Sequence, residues 1–194
     1  NWFAPVDIPI GLHWHHFGQN ILPPVIPQLK GKVTNEDFVV VYLPWENPNL
    51  VESVLNKISD KVFYVYGHTS EKIVRDNIIW KPSSRAGFIK DLESCNGVLC
   101  NAGFELTSEC LSLNKKIMVK PVMSQVEQLA NVKALDNLGL ATTTNKITTA
   151  IVSDWLENNT RNSLPYFNVV DPLIDWIECG SFDDIDSLIK RVWS

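Results

Sequence analysis

From Asp37 onward the chain alternates between two apolar patterns. Phe38-Val-Val-Val-Tyr-Leu43 is an unbroken apolar run closed by Pro44, and Val62-Phe-Tyr-Val-Tyr66 is a second, ending at Gly67. Asn77-Ile-Ile-Trp80, Gly97-Val-Leu-Cys100 and Lys116-Ile-Met-Val-Lys120 follow, the last closed by Pro121. Between these runs the apolar positions fall at helical spacing. Leu50, Val54, Leu55 and Ile58 mark a helix over 47–58, Phe88, Ile89 and Leu92 a second, and 104–113 a third. Over 125–138 a stripe of Val126, Leu129, Val132, Leu135 and Leu138 predicts a long helix, which Gly139 is suited to end. Three further helices are marked by Ile147, Ile151 and Trp155, by Leu173, Trp176 and Ile177, and by Ile185, Leu188, Ile189 and Val192. Strands that read as continuous apolar runs are buried on both faces. Their alternation with helices predicts βαβ units, an α/β chain with a mostly parallel sheet covered on both sides.

Residues 1–30 follow neither pattern. They hold five of the eleven prolines (Pro5, Pro9, Pro23, Pro24, Pro27) and three of the four histidines (His13, His15, His16). Proline at that density blocks helix and central strand, so this stretch is expected to be an extended lead-in, with the regular domain over 31–194. The chain begins Asn1-Trp2, with methionine only at Met118 and Met123. It is therefore expected to be a processed product or a piece of something longer.

Composition narrows the classes. The chain has 194 residues, 17 Lys+Arg against 22 Asp+Glu, a net charge of −5, and 45% hydrophobic residues. That is the make-up of a globular domain of ordinary stability, with no basic cluster for nucleic acid and no run near a membrane span. No signal segment is visible, so a cytoplasmic location is expected, with peripheral membrane attachment if an acceptor is lipid-linked. Cys95 and Cys110 fall in helical patterns, Cys100 in a strand, and Cys179 near the end; without C-x-x-C spacing they read as free thiols in a reducing compartment rather than a zinc site. The histidines lack a completing ligand other than Asp7, so no metal is expected there, and their role stays open.

Ligands in open α/β sheets bind at the carboxyl ends of the strands. The nine glycines are too scattered for G-x-G-x-x-G or a P-loop, the closest pair being Gly97 and Gly103. The remaining candidate is Asn101-Ala-Gly-Phe104, small residues between a strand and a helix, where backbone N–H groups and the helix dipole suit a diphosphate; a plain tight turn explains the same residues. Glu109, a turn and a half into that helix, could accept from a ribose diol or be a solvated carboxylate. Glu127 and Gln128 carry acceptors and donors suited to sugar hydroxyls, while Ser124 and Glu127 also form an S-x-x-E capping box.

These elements in this order resemble the donor-binding half of GT-B glycosyltransferases: Cys100-Asn-Ala-Gly103 with Glu109, a strand ending at Pro121, Glu127-Gln128 with Asn131, then Asn137-Leu-Gly139. The stretch is similar to UDP-glucuronosyltransferases and to the family 28 enzyme of peptidoglycan synthesis. Gly11-Leu-His-Trp-His-His-Phe17, Ile21-Leu-Pro-Pro24 and Val41-Tyr-Leu-Pro-Trp-Glu46 resemble a narrower prokaryotic branch of that superfamily.

The resemblance implies a Rossmann-like three-layer sandwich, the C-terminal half of a GT-B fold, whose N-terminal acceptor domain would precede Asn1 and hold the catalytic base. It implies transfer of a sugar from a UDP-type donor to an unknown acceptor, with inversion. A nucleotide-sugar epimerase of the same fold and a non-enzymatic donor-binding subunit are the alternatives. By the same resemblance, Asn101, Ala102, Gly103 and Phe104 would hold the diphosphate, Glu109 the ribose, and Glu127 and Gln128 the sugar. Trp80, Lys81 and Pro82 would hold the base, through backbone or ring stacking. Pro44, Trp45 and His68 would border the cleft, with Glu46 beside the phosphates. Glu105 would have to point away from a diphosphate. No cofactor or metal is implied, since a helix N-terminus stabilises the leaving diphosphate.

Overall fold

A computed structural model describes residues 6–26, 32–158, 160–180 and 182–194; Asn1-Trp2, Pro5 and Pro27 lie outside them. In chain order the elements are β1 (Gly11–Leu12), β2 (Ile21–Leu22), β3 (Glu36–Tyr42), α1 (Pro48–Leu55), β4 (Val62–Tyr66), β5 (Ile73–Arg75), β6 (Ile78–Lys81), α2 (Arg85–Ser94), β7 (Cys95–Asn101), α3 (Phe104–Ser112), β8 (Lys116–Lys120), α4 (Val126–Leu138), β9 (Thr142–Thr143), α5 (Thr149–Glu157), α6 (Val170–Cys179) and α7 (Ile185–Trp193). They divide into two compact units: Leu29–Ser163, and Asn1–Gln28 together with Leu164–Ser194. Helices α6 and α7, expected within the 31–194 domain, thus group with the lead-in expected at 1–30, while α5 stays in the larger unit.

The larger unit is built on a seven-stranded sheet of order β5-β6-β4-β3-β7-β8-β9. Every pairing is parallel except β5 with β6. Because successive side chains on a strand point to opposite faces, the apolar runs feed two cores. Val39, Val41, Leu43, Phe63, Val65, Trp80, Leu99 and Met118 face one layer, where Val51, Val54 and Leu55 of α1 and Val152 and Trp155 of α5 cover them. On the opposite face Tyr66 donates to Asp91 of α2 (2.5 Å), and Phe88 sets its ring edge-on to Tyr66 and Tyr42. The expected three-layer α/β arrangement is what the chain forms.

Local chemistry sets the helix ends. Asn47 and Ser84 cap α1 and α2 by accepting from Asn49 N–H and Gly87 N–H, and Gly139 ends α4 in the left-handed region at φ 63°. Three expectations shift. Cys95 is the first residue of β7 rather than helical, because α2 runs into β7 with no loop. The 124–127 capping box does not form: Gln125 is the N-cap of α4, without a side-chain cap. Strands β5 and β9 lie outside the apolar runs and add the sheet's two borders.

In the smaller unit β1 and β2 pair in parallel, and Leu22 packs with Val169, Leu188 and Val192. Trp193 Nε1–H donates to Ile21 O at 2.8 Å, and Trp14 is buried. Proline excludes helix from the lead-in, but a two-residue bridge suffices to bring Leu22 into a core. No helix among the described residues is long and apolar enough to cross a membrane.

Candidate functional site

The order of strands locates the site. From β3 the chain builds outward in one direction to β4 and β6, then returns through α2 to β7 on the other side of β3 and builds outward to β8 and β9. The loops after β3 and β7 therefore leave in opposite directions and open a crevice at their carboxyl ends, the place where such sheets take ligands. Residues 43–47, 67–70, 82–84, 101–104 and 121–125 all follow parallel strands and share this edge. Every expected donor residue thus lies on the carboxyl edge or on a helix that starts from it.

The loop after β7 is tightly held. Lys120 O accepts both Ala102 N–H (3.2 Å) and Asn101 Nδ2–H (3.1 Å), and Gly103 N–H turns back to Asn101 O at 2.8 Å. Buried Asn131 of α4 donates to Ala102 O at 3.0 Å. Asn101 Oδ1 is buried with no partner. Gly103 then caps α3 at φ −71°, with no side-chain acceptor at the helix start. A Cβ added there would meet nothing within 4 Å among the described residues. Neither backbone conformation nor packing among the described residues requires glycine at this position, and without a Cβ it permits close approach to the backbone. Glu105, in the first turn, is exposed.

Glu109, half-buried in α3, has its carboxyl pushed above the usual glutamate range by burial, with exposed Arg85 of α2 opposing the shift and Glu105 reinforcing it. Arg85 had no signal in the chain: it becomes a neighbour of Glu109 only because α2 and α3 start from the same edge.

The other positions are more committed than the pattern suggests. Trp80 is 5% exposed and faces the α1 core, so its ring is not open for stacking. Lys81 pairs with Asp91 and lies over the Tyr64 ring, which leaves the backbone of 80–82 as the polar surface there. Gln128 is buried and turned onto its own loop: its Oε1 accepts Val122 N–H at 2.9 Å and its Nε2–H donates to Gln125 Oε1 at 2.7 Å. Glu127 stays exposed in the first turn of α4. His68 Nε2 lies 3.0 Å from Leu43 O, and its ring stands edge-on to Trp80 beside a pocket of about 160 Å³ that also takes in Glu52 and Arg75. Pro44 sits against Gly67, whose φ of 98° requires glycine, and Trp45 is 66% exposed.

One feature of the crevice was not singled out by the motifs. Lys120 Nζ, at the end of β8, meets Glu46 Oε1, after β3, at 2.5 Å, both side chains largely buried. The pair spans the carboxyl end of β7, which lies between those strands. It takes up the side chain of Lys120, whose carbonyl holds the Asn101–Ala102 turn. In the smaller unit, the Nδ1 atoms of His13, His15 and His16 accept local backbone N–H groups. Among the described residues, no group of three or more His, Cys, Asp or Glu gathers in the manner of a metal site.

Comparison with known proteins agrees with this architecture. The family model described as glycosyl transferase family 1 matches residues 18–159. Two solved structures share the fold. The glycotransferase of kitacinnamycin has a TM-score of 0.54 at 13% identity, with 88% of this chain and 44% of that one aligned. The glycosyltransferase SnogD from Streptomyces nogalater has a TM-score of 0.50 at 12% identity, with 98% and 47% aligned. No curated protein matches the chain. The chain spans less than half the length of these solved structures. With a family match over most of its length and the α/β architecture of the GT-B enzymes, the chain belongs to glycosyl transferase family 1.

Proposed function

We propose that this chain is the donor-binding part of a glycosyltransferase that uses a UDP-type nucleotide sugar, with the acceptor site and general base on another domain. The observation that carries the reading is Gly103. It is glycine without a positive φ and, among the described residues, without a packing neighbour, at a helix start in the switch-point crevice where Gly103 supplies no side-chain cap. A diphosphate laid against that backbone would meet N–H donors and the positive end of the α3 dipole, which need no metal to stabilise the leaving group. In this proposal the pinned Asn101-Ala102 turn positions those donors, and Phe104 begins the helix that supplies them. Glu109 accepts from the ribose diol, the backbone of Trp80, Lys81 and Pro82 borders the base, and Glu127 reaches the sugar. Gln128 holds the loop beneath. The chemistry would be displacement at the anomeric carbon with a UDP-type leaving group. A cytoplasmic setting is part of the same proposal, which four free cysteines, three of them buried, support.

Titration calorimetry with UDP tests the reading. The chain is expected to bind UDP weakly and to transfer no sugar by itself. Glu109→Ala should weaken UDP about 10- to 100-fold, the loss of hydrogen bonds to a charged acceptor, and leave uracil unaffected. Equal losses for UDP and uracil would remove the ribose assignment, and no UDP binding by the folded chain would remove the site.

The pH dependence follows from the direction of the Glu109 shift. Only the ionised carboxylate accepts from both ribose hydroxyls, and burial makes it protonate more readily than an ordinary glutamate. UDP affinity should therefore decline on acidification sooner than an unshifted glutamate would allow, and Glu109→Gln should flatten that profile. Stability moves the other way. A carboxyl whose pKa is raised on folding favours the native state below its unfolded pKa, and this contribution is lost as pH rises through the folded value. Glu109→Gln should thus fold at neutral pH at least as stably as the parent.

A further inference from the structure

We propose that the amino-terminal edge of the sheet, opposite the donor crevice, carries a second anion site that takes a phosphate-type dianion on Lys61, Lys116 and Arg161. Lys116 opens β8, Asn96 and Gly97 lie at the start of β7, Asp37 at the start of β3, and Lys61 just before β4. Arg161 comes from the segment after α5. Together they surround a pocket of about 130 Å³. That is about four water volumes, room for a tetrahedral oxyanion and too little for a nucleoside.

The charges there do not balance. Three cations face one carboxylate, that of Asp37, which pairs with Lys61 at 3.0 Å and is 72% exposed. Arg161 donates to Asn96 O at 2.9 Å and to Asn96 Oδ1, both neutral acceptors. Lys116 is 6% exposed, and its Nζ donates to Leu156 O at 2.8 Å, with the Trp155 ring 5.4 Å away. A buried ammonium with one carbonyl partner and no counter-ion among the described residues is an uncompensated charge, costly in an apolar setting. Burial, with Arg161 and Lys61 nearby, also holds Lys116 below the usual ammonium range, the direction that surplus positive charge produces. An oxyanion in the pocket would accept the unspent N–H donors of Lys116 together with the N–H groups of Arg161 that Asn96 does not take. It would also clip the segment carrying Arg161 onto the sheet.

Inorganic phosphate and methyl phosphate, titrated into the chain by calorimetry at constant ionic strength, test the site and separate a free anion from a phosphomonoester headgroup. Saturable binding of one phosphate per chain is expected. Arg161→Gln, in a segment without regular structure, should weaken it about tenfold or more. Lys116→Met should do the same, and Asp37→Asn, which removes the competing carboxylate, should tighten it. Saturating UDP should leave phosphate binding unchanged, and Arg161→Gln should leave UDP binding unchanged. Non-saturable binding, or equal affinity in the parent and Arg161→Gln, would overturn the proposal. So would loss of phosphate binding under saturating UDP with retention in Arg161→Gln, which would place the anion in the donor crevice.

Discussion

Replacement of Lys115 by methionine is expected to destabilise the chain by about 3–5 kcal/mol, the range for leaving buried groups without their charged partner. Lys115 is 1% exposed, yet among the described residues it pairs with no carboxylate. Its Nζ donates to three carbonyls: Thr34 O at 2.5 Å, Glu93 O at 2.8 Å and Cys95 O at 2.8 Å. Those carbonyls belong to the approach to β3, the last turn of α2 and the first residue of β7. The ammonium therefore joins the two strands that border the crevice and sits where the α2 dipole is negative. Methionine fills the volume and supplies no donor. Glu93 O would keep Thr34 N–H (3.0 Å), but the other two carbonyls would lose the partner shown here. Urea denaturation should report the loss directly, and the thermal midpoint should fall by roughly 10 °C. A loss below about 1 kcal/mol would mean that water replaces the ammonium without penalty.

The second large effect is expected at the crevice itself. Lys120→Met should cost about 3–5 kcal/mol, because it leaves the Glu46 carboxylate buried without its partner. The double variant Glu46→Met with Lys120→Met should return to within about 1 kcal/mol of the parent, since a buried ion pair gains little over apolar residues that pack equally well. That non-additivity is the signature to measure, in a double-mutant cycle by chemical denaturation. Additive losses would show that the two side chains act separately. The same cycle bears on donor binding. An unpaired carboxylate beside Asn101–Gly103 repels a diphosphate, so Lys120→Met should weaken UDP, and the double variant should restore much of it.

How far the chain announced its own structure can be judged from particular residues. Strands β3, β4, β6, β7 and β8 were legible because burial on both faces leaves a continuous apolar run that needs no knowledge of neighbours. Strand β5 was not, because Ile73, Val74 and Arg75 are all exposed, and only the hydrogen bonds to β6 make them a strand. Cys95 read as helical because the α2 pattern runs to Ser94 without a breaker, and the change of conformation between Ser94 and Cys95 has no glycine or proline to mark it. At the site, the glycine turn and the carboxylates could be found by local spacing. The Glu46–Lys120 pair could not, since its members are 74 residues apart and meet only through strand order. Lys115 was invisible for a related reason: a lysine reads as surface until three carbonyls from distant segments converge on it. The amide of Gln128 was noticed for its chemistry, but its orientation depends on the shape of the 122–125 loop, which spacing alone does not convey.

The borders of the sheet bear on how the chain behaves at high concentration. A parallel sheet whose outermost strand is long and bare offers its open backbone groups as a template for pairing with another molecule. Here neither border does. On one side β5 runs antiparallel for three residues and ends in Arg75, whose side chain is held by Glu52. On the other side β9 is two threonines long. The long apolar strands that make the fold legible are thus enclosed between two short border strands, so that the segments with the strongest tendency to self-associate are the least available to do so.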